Sequence, residues 1–177
     1  LVSQSIIQKM ILINWLVQFK KQRSFSVSLD KLNQLYRAVI LEHAANPHHH
    51  YAVDNATNEK TLHNTTCGDT INISLHLGAD NRITDIGFTG QGCTISQASA
   101  SMLTDVMMGK TTKEALAIAK IFSDEAIGEK HSRDELKKLG DAQVLTQIME
   151  FPARIKCATL AWWALQEALL KNAKGDK

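Results

Sequence analysis

INISLHLGADNRITDIGFTGQGC, residues 71–93, decides the fold. Ile71, Ile73, Leu75 and Leu77 alternate with polar residues, the period of a strand with one buried face. Gly78-Ala79-Asp80-Asn81 supplies turn residues. A second strand over about Arg82–Thr89 returns with Ile86 and Phe88 on one face, which predicts an antiparallel hairpin. The stretch then ends in two glycines and a cysteine, Gly90-Gln91-Gly92-Cys93, immediately before a helical pattern.

On either side of the hairpin the period changes from two to 3.6. Upstream, Leu32, Leu35, Tyr36, Val39, Ile40 and His43 form one helical stripe. Asn46-Pro47 ends it, because a residue before proline avoids the α region. Downstream, one helix is expected from about Ile95 to Met108, ending at Gly109. Thr111 with Glu114 makes a capping box for the next, which carries Leu116, Ile118, Ala119 and Phe122. The charged stretch 123–140 is expected to be a solvated face, with Ser132 and Glu135 capping a short helix inside it. Asp141 opens a further helix bearing Val144, Leu145 and Ile148. Pro152 suits a first helical turn, and a long helix follows over about 153–170, with Leu160, Ala164 and Ala168 on its inner stripe. The fold class is therefore α+β, a small antiparallel β-sheet packed on one face by helices.

The chain of 177 residues is long enough for one domain with its own core. Its formal charge of +2 argues against a nucleic-acid partner held by phosphate neutralisation. No apolar run reaches the roughly 18 residues of a membrane span, so no membrane partner is expected. Residues 1–28 hold Lys9, Lys20, Lys21 and Arg23 and no acid, so they carry +4 and the remainder −2. That segment reads as an extension upstream of the domain, as an added amphipathic helix that docks or self-associates, or as a targeting segment. Residues 29–177 are taken as the domain proper.

Three cysteines at wide spacing, Cys67, Cys93 and Cys157, argue against a disulfide framework and fit a reducing cytoplasm. Cys67 sits in NTTCGD (64–69), two residues before Asp69. Cys93 ends GQGC and Cys157 follows FPARIK (151–156), both near helix starts where the dipole favours a thiolate. Arg154 and Lys156 add positive charge beside Cys157. A free cysteine is often just a small buried hydrophobe. Three in glycine-flanked loops or helix starts favour metal binding, because three thiolates and a carboxylate suit tetrahedral zinc. With no C-x-x-C pair, the tertiary fold must assemble such a site. His43 is expected as a hydrogen-bonded core histidine. His48–His50 read as a solvated run able to pick up metal adventitiously. His63 is a minor candidate for an auxiliary ligand.

Together LYRAVILEHAANP (35–47), NTTCGD, FTGQGCTISQASASM (88–102) and FPARIKCATL (151–160) resemble the NifU/IscU-like family of iron–sulfur cluster assembly proteins, most nearly its SufU branch. The resemblance covers about residues 29–170. It implies a single site made of Cys67, Asp69, Cys93 and Cys157. Where IscU-type scaffolds carry histidine before the last cysteine, this chain has Lys156; where their middle cysteine lies two positions earlier, it has Gln91. The segment from about Ser123 to Met149 resembles the SufU insertion. The resemblance implies zinc at this site, a SufS-type cysteine desulfurase as partner, and Cys157 as the sulfur acceptor. The chain would then be a sulfurtransferase-like carrier rather than a stand-alone enzyme. Arg154 and Lys156 would balance the two excess negative charges of a zinc ion held by three thiolates and a carboxylate. Two alternatives stand beside this. One is a scaffold on which iron and a [2Fe–2S] cluster assemble on Cys67, Cys93 and Cys157 for transfer to apo-proteins. The other is a structural zinc domain acting as an interaction module.

Overall fold

The computed structural model describes residues 34–171, so the expectations for residues 1–28 and for Leu32 lie outside the described residues. In chain order the elements are α1 (Gln34–Ala45), β1 (Asn58–Asn64), β2 (Asp69–Leu77), β3 (Ile83–Gln91), α2 (Thr94–Met107), α3 (Thr112–Ala126), α4 (Arg133–Lys137), a 3₁₀ segment (Gly140–Glu150) and α5 (Pro152–Lys171). The three strands form one antiparallel sheet in the order β1-β2-β3.

The expected hairpin is β2–β3. Ile73 pairs with Phe88 and Leu75 with Ile86, so all four project from one face and are fully buried. The ladder slips at His76/Leu77, just before the turn. There Asn81 takes a positive φ and its N–H donates to the Gly78 carbonyl at 3.0 Å. At the far end of β3, Gly90 adopts φ +122°, and a Cβ there would lie 2.1 Å from the Thr70 carbonyl oxygen. Only glycine permits this approach, which turns the chain out of the sheet toward Cys93.

Strand β1 is an addition to the sequence reading. NEKTLHN (58–64) has a single aliphatic residue, Leu62, and so lacks a hydrophobic alternation. It is held by ladder pairing to β2 and by polar links to α5. Asn58 Nδ2 donates to the Ala168 carbonyl at 2.8 Å, and Lys60 Nζ lies 2.7 Å from Glu167 Oε2.

Helix α5 is the hub. Leu160, Ala164 and Ala168 are buried as expected, but so is every residue from Cys157 to Gln166. A helix buried on all sides needs no amphipathic stripe. The sheet packs on it, as do α2, α3 and the 3₁₀ segment. Trp162 stacks on Phe122 of α3 with ring centroids 4.1 Å apart and an interplanar angle of 10°. Both predicted capping boxes, Thr111/Glu114 and Ser132/Glu135, are present. The helix expected from Asp141 is instead the 3₁₀ segment, with Leu145 and Ile148 buried and Val144 partly so.

The solvated face expected over 123–140 is corrected at its start. Helix α3 runs on to Ala126, and Ser123, Asp124 and Glu125 in its last turn are buried. They are tolerated because they are bonded. Gln166 Nε2 donates to Ser123 Oγ at 2.9 Å. Asp124 pairs with Lys120, and Glu125 accepts from the His131 backbone N–H at 2.8 Å and lies 3.3 Å from Lys130 Nζ.

Candidate metal centre

The cysteines are brought together at the end of the sheet where β1 turns into β2 and β3 leads into α2. Asn64 and Asp69 are the last register pair of the β1–β2 ladder, and Cys67 rides on the turn between them. The Gly68 N–H closes that turn on the Asn64 carbonyl at 2.8 Å. Cys67 is exposed, whereas Asp69 is buried. Cys93 occupies the N-cap position of α2, and its N–H donates to Asp69 Oδ1 at 2.8 Å. Cys157 lies in the second turn of α5, fully buried, with Sγ 3.3 Å from Cys67 Sγ.

The four expected ligands therefore converge. Single donor atoms of Cys67, Asp69 and Cys157 all lie within 4.8 Å of one another. Cys93 Sγ is 4.0 Å from Asp69 Oδ2. Zinc–sulfur bonds of about 2.3 Å place tetrahedral thiolates about 3.8 Å apart, so the Cys67–Cys157 spacing is close to what an ion requires. Gly92 provides a second sign of fit. A Cβ on it would lie 3.0 Å from Asp69 Oδ1, 3.0 Å from Ser96 Oγ and 3.1 Å from Asp69 Cβ, so its absence leaves the carboxylate room beside Cys93. The donor set matches a soft, tetrahedral divalent ion.

Asn64 is a site residue that the sequence pattern did not mark. It is buried, and its Nδ2 donates to Asp69 Oδ2 at 3.2 Å and to Cys157 Sγ at 3.5 Å. Its Oδ1 accepts from the Thr66 N–H at 3.1 Å. One amide thus fixes the Cys67 turn, the carboxylate and the buried thiol, the supporting role outer groups play around metal ligands.

The thiols differ in acidity, and not as their sequence neighbours suggest. Cys93 is lowered to about 6, first by its hydrogen bond from Cys157 and then by the backbone N–H groups of Ser96 and Ile95, against burial and the Asp69 charge. Cys157 is raised, first because its proton is shared with Cys93 and next because it is buried. The electropositive setting expected for Cys157 from Arg154 and Lys156 is corrected accordingly. Lys156 Nζ points outward to Thr66 Oγ1 at 3.3 Å, over the rim of the Cys67 turn. Arg154 lines a cleft of about 210 Å³ with Cys93, Ile95, and Arg37, Ile40 and Leu41 of α1. Both cations flank the centre, but the buried thiol keeps its proton.

His63 is not part of the centre. It is exposed on β1, with Nδ1 2.9 Å from Thr70 Oγ1 across the ladder.

Residues 35–174 match the family described as NifU-like N terminal domain. The chain belongs to this family. Among its relatives, an "iron-sulfur cluster assembly scaffold protein IscU" from Streptococcus pyogenes is 47% identical over 85% of this chain and 92% of its own length. A "zinc-dependent sulfurtransferase SufU" from Bacillus subtilis is 42% identical over 86% and 99%. Among solved structures, a proposed iron–sulfur cluster assembly scaffold protein for a SUF system from Fervidobacterium islandicum is 29% identical, with a TM-score of 0.68 over 74% of this chain and 93% of that one. The three-stranded sheet with its helices is thus the architecture of the NifU-like domain. Among the described residues no helix is long and apolar enough to cross a membrane.

Proposed function

We propose that this NifU-like domain is an iron–sulfur cluster assembly protein acting as a zinc-dependent sulfur acceptor. It takes persulfide sulfur from a SufS-type cysteine desulfurase and passes it to downstream assembly or apo-proteins. The carrying observation is the convergence of Cys67, Asp69, Cys93 and Cys157, with two sulfurs 3.3 Å apart and one of the cysteines exposed. The likeness to the zinc-dependent SufU of B. subtilis supports the same reading.

These four residues would hold zinc. Bound there, the ion supplies charge that keeps thiols ionised at neutral pH. The remaining work falls to the chain. Asn64 orients Asp69 and Cys157, while Lys156 and Arg154 face the rim and the adjoining cleft, where an anionic persulfide approaches. The transfer is a thiol–persulfide exchange. The Cys157 thiolate attacks the terminal sulfur of the donor persulfide. A new sulfur–sulfur bond forms on Cys157, the old one breaks, and the donor cysteine leaves as a thiolate. Cys157 is the proposed acceptor because it touches both Cys67 and Asn64. Its burial requires the Cys67 turn to open, and that turn carries the exposed ligand.

Incubating the full chain with a cognate desulfurase and cysteine, followed by peptide mass spectrometry, tests this. One added sulfur on the Cys157 peptide is expected, and Cys157→Ala abolishes it; normal loading of that variant contradicts the assignment. The S. pyogenes relative's name favours a second reading, a [2Fe–2S] scaffold on the same ligands. Anaerobic reconstitution separates the two, since a scaffold gains acid-labile sulfide and visible absorbance that Asp69→Ala alters. A purely structural zinc module takes up no sulfur and unfolds when the metal is stripped.

A further inference from the structure

A second cluster of metal-ligating side chains lies along the same helix α2. Asp105 follows Cys93 by 12 residues, about 18 Å along a helix, so this cluster is separate from the cysteine centre. His43 comes from α1, His48 from the loop after it, and Asp105 from the outer face of α2. One donor atom of each lies within 4.8 Å of the others. The two imidazole rings stand 4.7 Å apart, tilted by 55°. A second carboxylate, Asp141, reaches in with Oδ2 3.3 Å from His43 Nε2.

We propose that His43, His48 and Asp105 form a second cation site for a divalent transition-metal ion of the zinc class. Two imidazoles and a carboxylate are a borderline nitrogen/oxygen donor set, suited to zinc, nickel or copper and distinct from a thiolate cage. Three protein ligands leave a position for water or for Asp141.

The donors are preorganised. Ser101 Oγ, buried on α2, holds both histidines, at 2.8 Å from His43 Nδ1 and 2.8 Å from the His48 backbone N–H. His43 is itself buried, so its ring has no freedom to turn away. The loop is pinned from the other side by the Phe88 N–H, which donates to the His49 carbonyl at 2.9 Å. His49 takes a positive φ to achieve this, and its Nδ1 lies 3.4 Å from Asp105 Oδ1. A run that reads in sequence as solvated and able to pick up metal adventitiously is thus fastened at the backbone, with His48 aimed at one carboxylate.

His48 Nδ1 and Asp105 Oδ2 stand at hydrogen-bond distance, 2.6 Å apart. Ligand atoms around tetrahedral zinc stand about 3.3 Å apart, so an ion entering here widens that contact by about 0.7 Å. A proton held on Nδ1 would have to move to Nε2 of the half-exposed His48 ring or leave to water for that nitrogen to bind. The ion must compete with satisfied hydrogen bonds, so this site fills after the cysteine centre.

Titration of the whole 177-residue chain with Co²⁺, and then with Zn²⁺, tests the proposal. Cobalt on thiolates gives intense near-ultraviolet charge-transfer bands, and cobalt on nitrogen and oxygen does not. The expected result is an additional equivalent without sulfur charge transfer. Asp105→Asn and His48→Ala should weaken it on the order of 10–100-fold while the thiolate bands persist. His50, which packs against Phe88 with ring centroids 4.8 Å apart, is the control, and His50→Ala should leave binding unchanged. No second equivalent overturns the proposal. So does a second equivalent that survives Asp105→Asn but is lost in His50→Ala, since that marks a histidine run acting alone. The near-isosteric Asp105→Asn sits at an exposed position, so circular dichroism identical to wild type is expected.

Discussion

Two donor clusters are built against one helix, and they are satisfied in opposite ways. At the N-terminal end of α2, Cys67, Asp69, Cys93 and Cys157 meet as weakly bonded thiols around one buried carboxylate. A dozen residues further on, His43, His48 and Asp105 are already joined by hydrogen bonds to Ser101, to Asp141 and to one another. Thiols are poor hydrogen-bond partners, so a metal entering the first cluster gives up little and gains strong soft-ligand bonds. A metal entering the second must replace contacts that are already good. A convergent donor set is therefore not a measure of affinity. The state of the ligands before the ion arrives decides it.

The largest expected effect comes from removing a thiolate. Structural zinc sites are worth roughly 10–16 kcal/mol over four ligands, so one ligand is worth about 3 kcal/mol. Cys157→Ala should weaken zinc binding about 100-fold in chelator competition and leave the histidine site untouched. Equal loss at both sites would show that they are not independent.

Gly92→Ala is the next step down. The added methyl meets Asp69 Oδ1 and Ser96 Oγ at 3.0 Å and displaces the carboxylate without removing any ligand. A cost of about 1–3 kcal/mol in zinc affinity is expected, read by the same competition. Ser101→Ala addresses the other cluster. It removes the hydroxyl shared by His43 and His48, and should lower the thermal stability of the metal-free protein by about 1–2 kcal/mol while leaving thiolate charge transfer intact.

The smallest effect is in pH. Cys93, lowered to about 6, is ionised at neutral pH in the metal-free protein, whereas the unfolded chain still holds that proton. A depressed folded value adds stability above the unfolded thiol range, and this is lost as pH falls through about 6. Cys157, being raised, works in the opposite sense above the unfolded thiol range. Alkylation of metal-free protein should thus rise with a midpoint near pH 6 on the Cys93 peptide and remain slow on Cys157. Faster labelling of Cys157 at pH 7 would reverse the ranking.

The parts of this molecule legible in its sequence are those with a local cause. The β2–β3 hairpin follows from alternation, the capping boxes from Thr111 and Ser132, and the candidate ligands Cys67, Asp69, Cys93 and Cys157 are marked by motifs that carry their own glycines and helix starts. What escaped has a tertiary cause. Strand β1 is nearly all polar and exists because β2 and α5 offer it partners. Asp124 and Glu125 look like surface residues and are buried because Lys120, Lys130 and His131 close over them. Asn64 looks like a turn residue, yet its amide holds Asp69 and reaches Cys157 across 93 positions of sequence. The acidity order of the thiols also departs from their sequence neighbours, because Lys156 and Arg154 adjoin Cys157 in sequence while Cys93 lies at the helix terminus and accepts a hydrogen bond from Cys157.

The central claim is that residues from three distant stretches form one metal–thiolate centre. Alkylation footprinting of the full chain, with and without one equivalent of zinc, measures it directly. Simultaneous protection of the Cys67 and Cys93 peptides by that single equivalent, with the slow Cys157 peptide still unlabelled, is the predicted result. Zinc bound at one equivalent while Cys67 or Cys93 is labelled at its metal-free rate would contradict it.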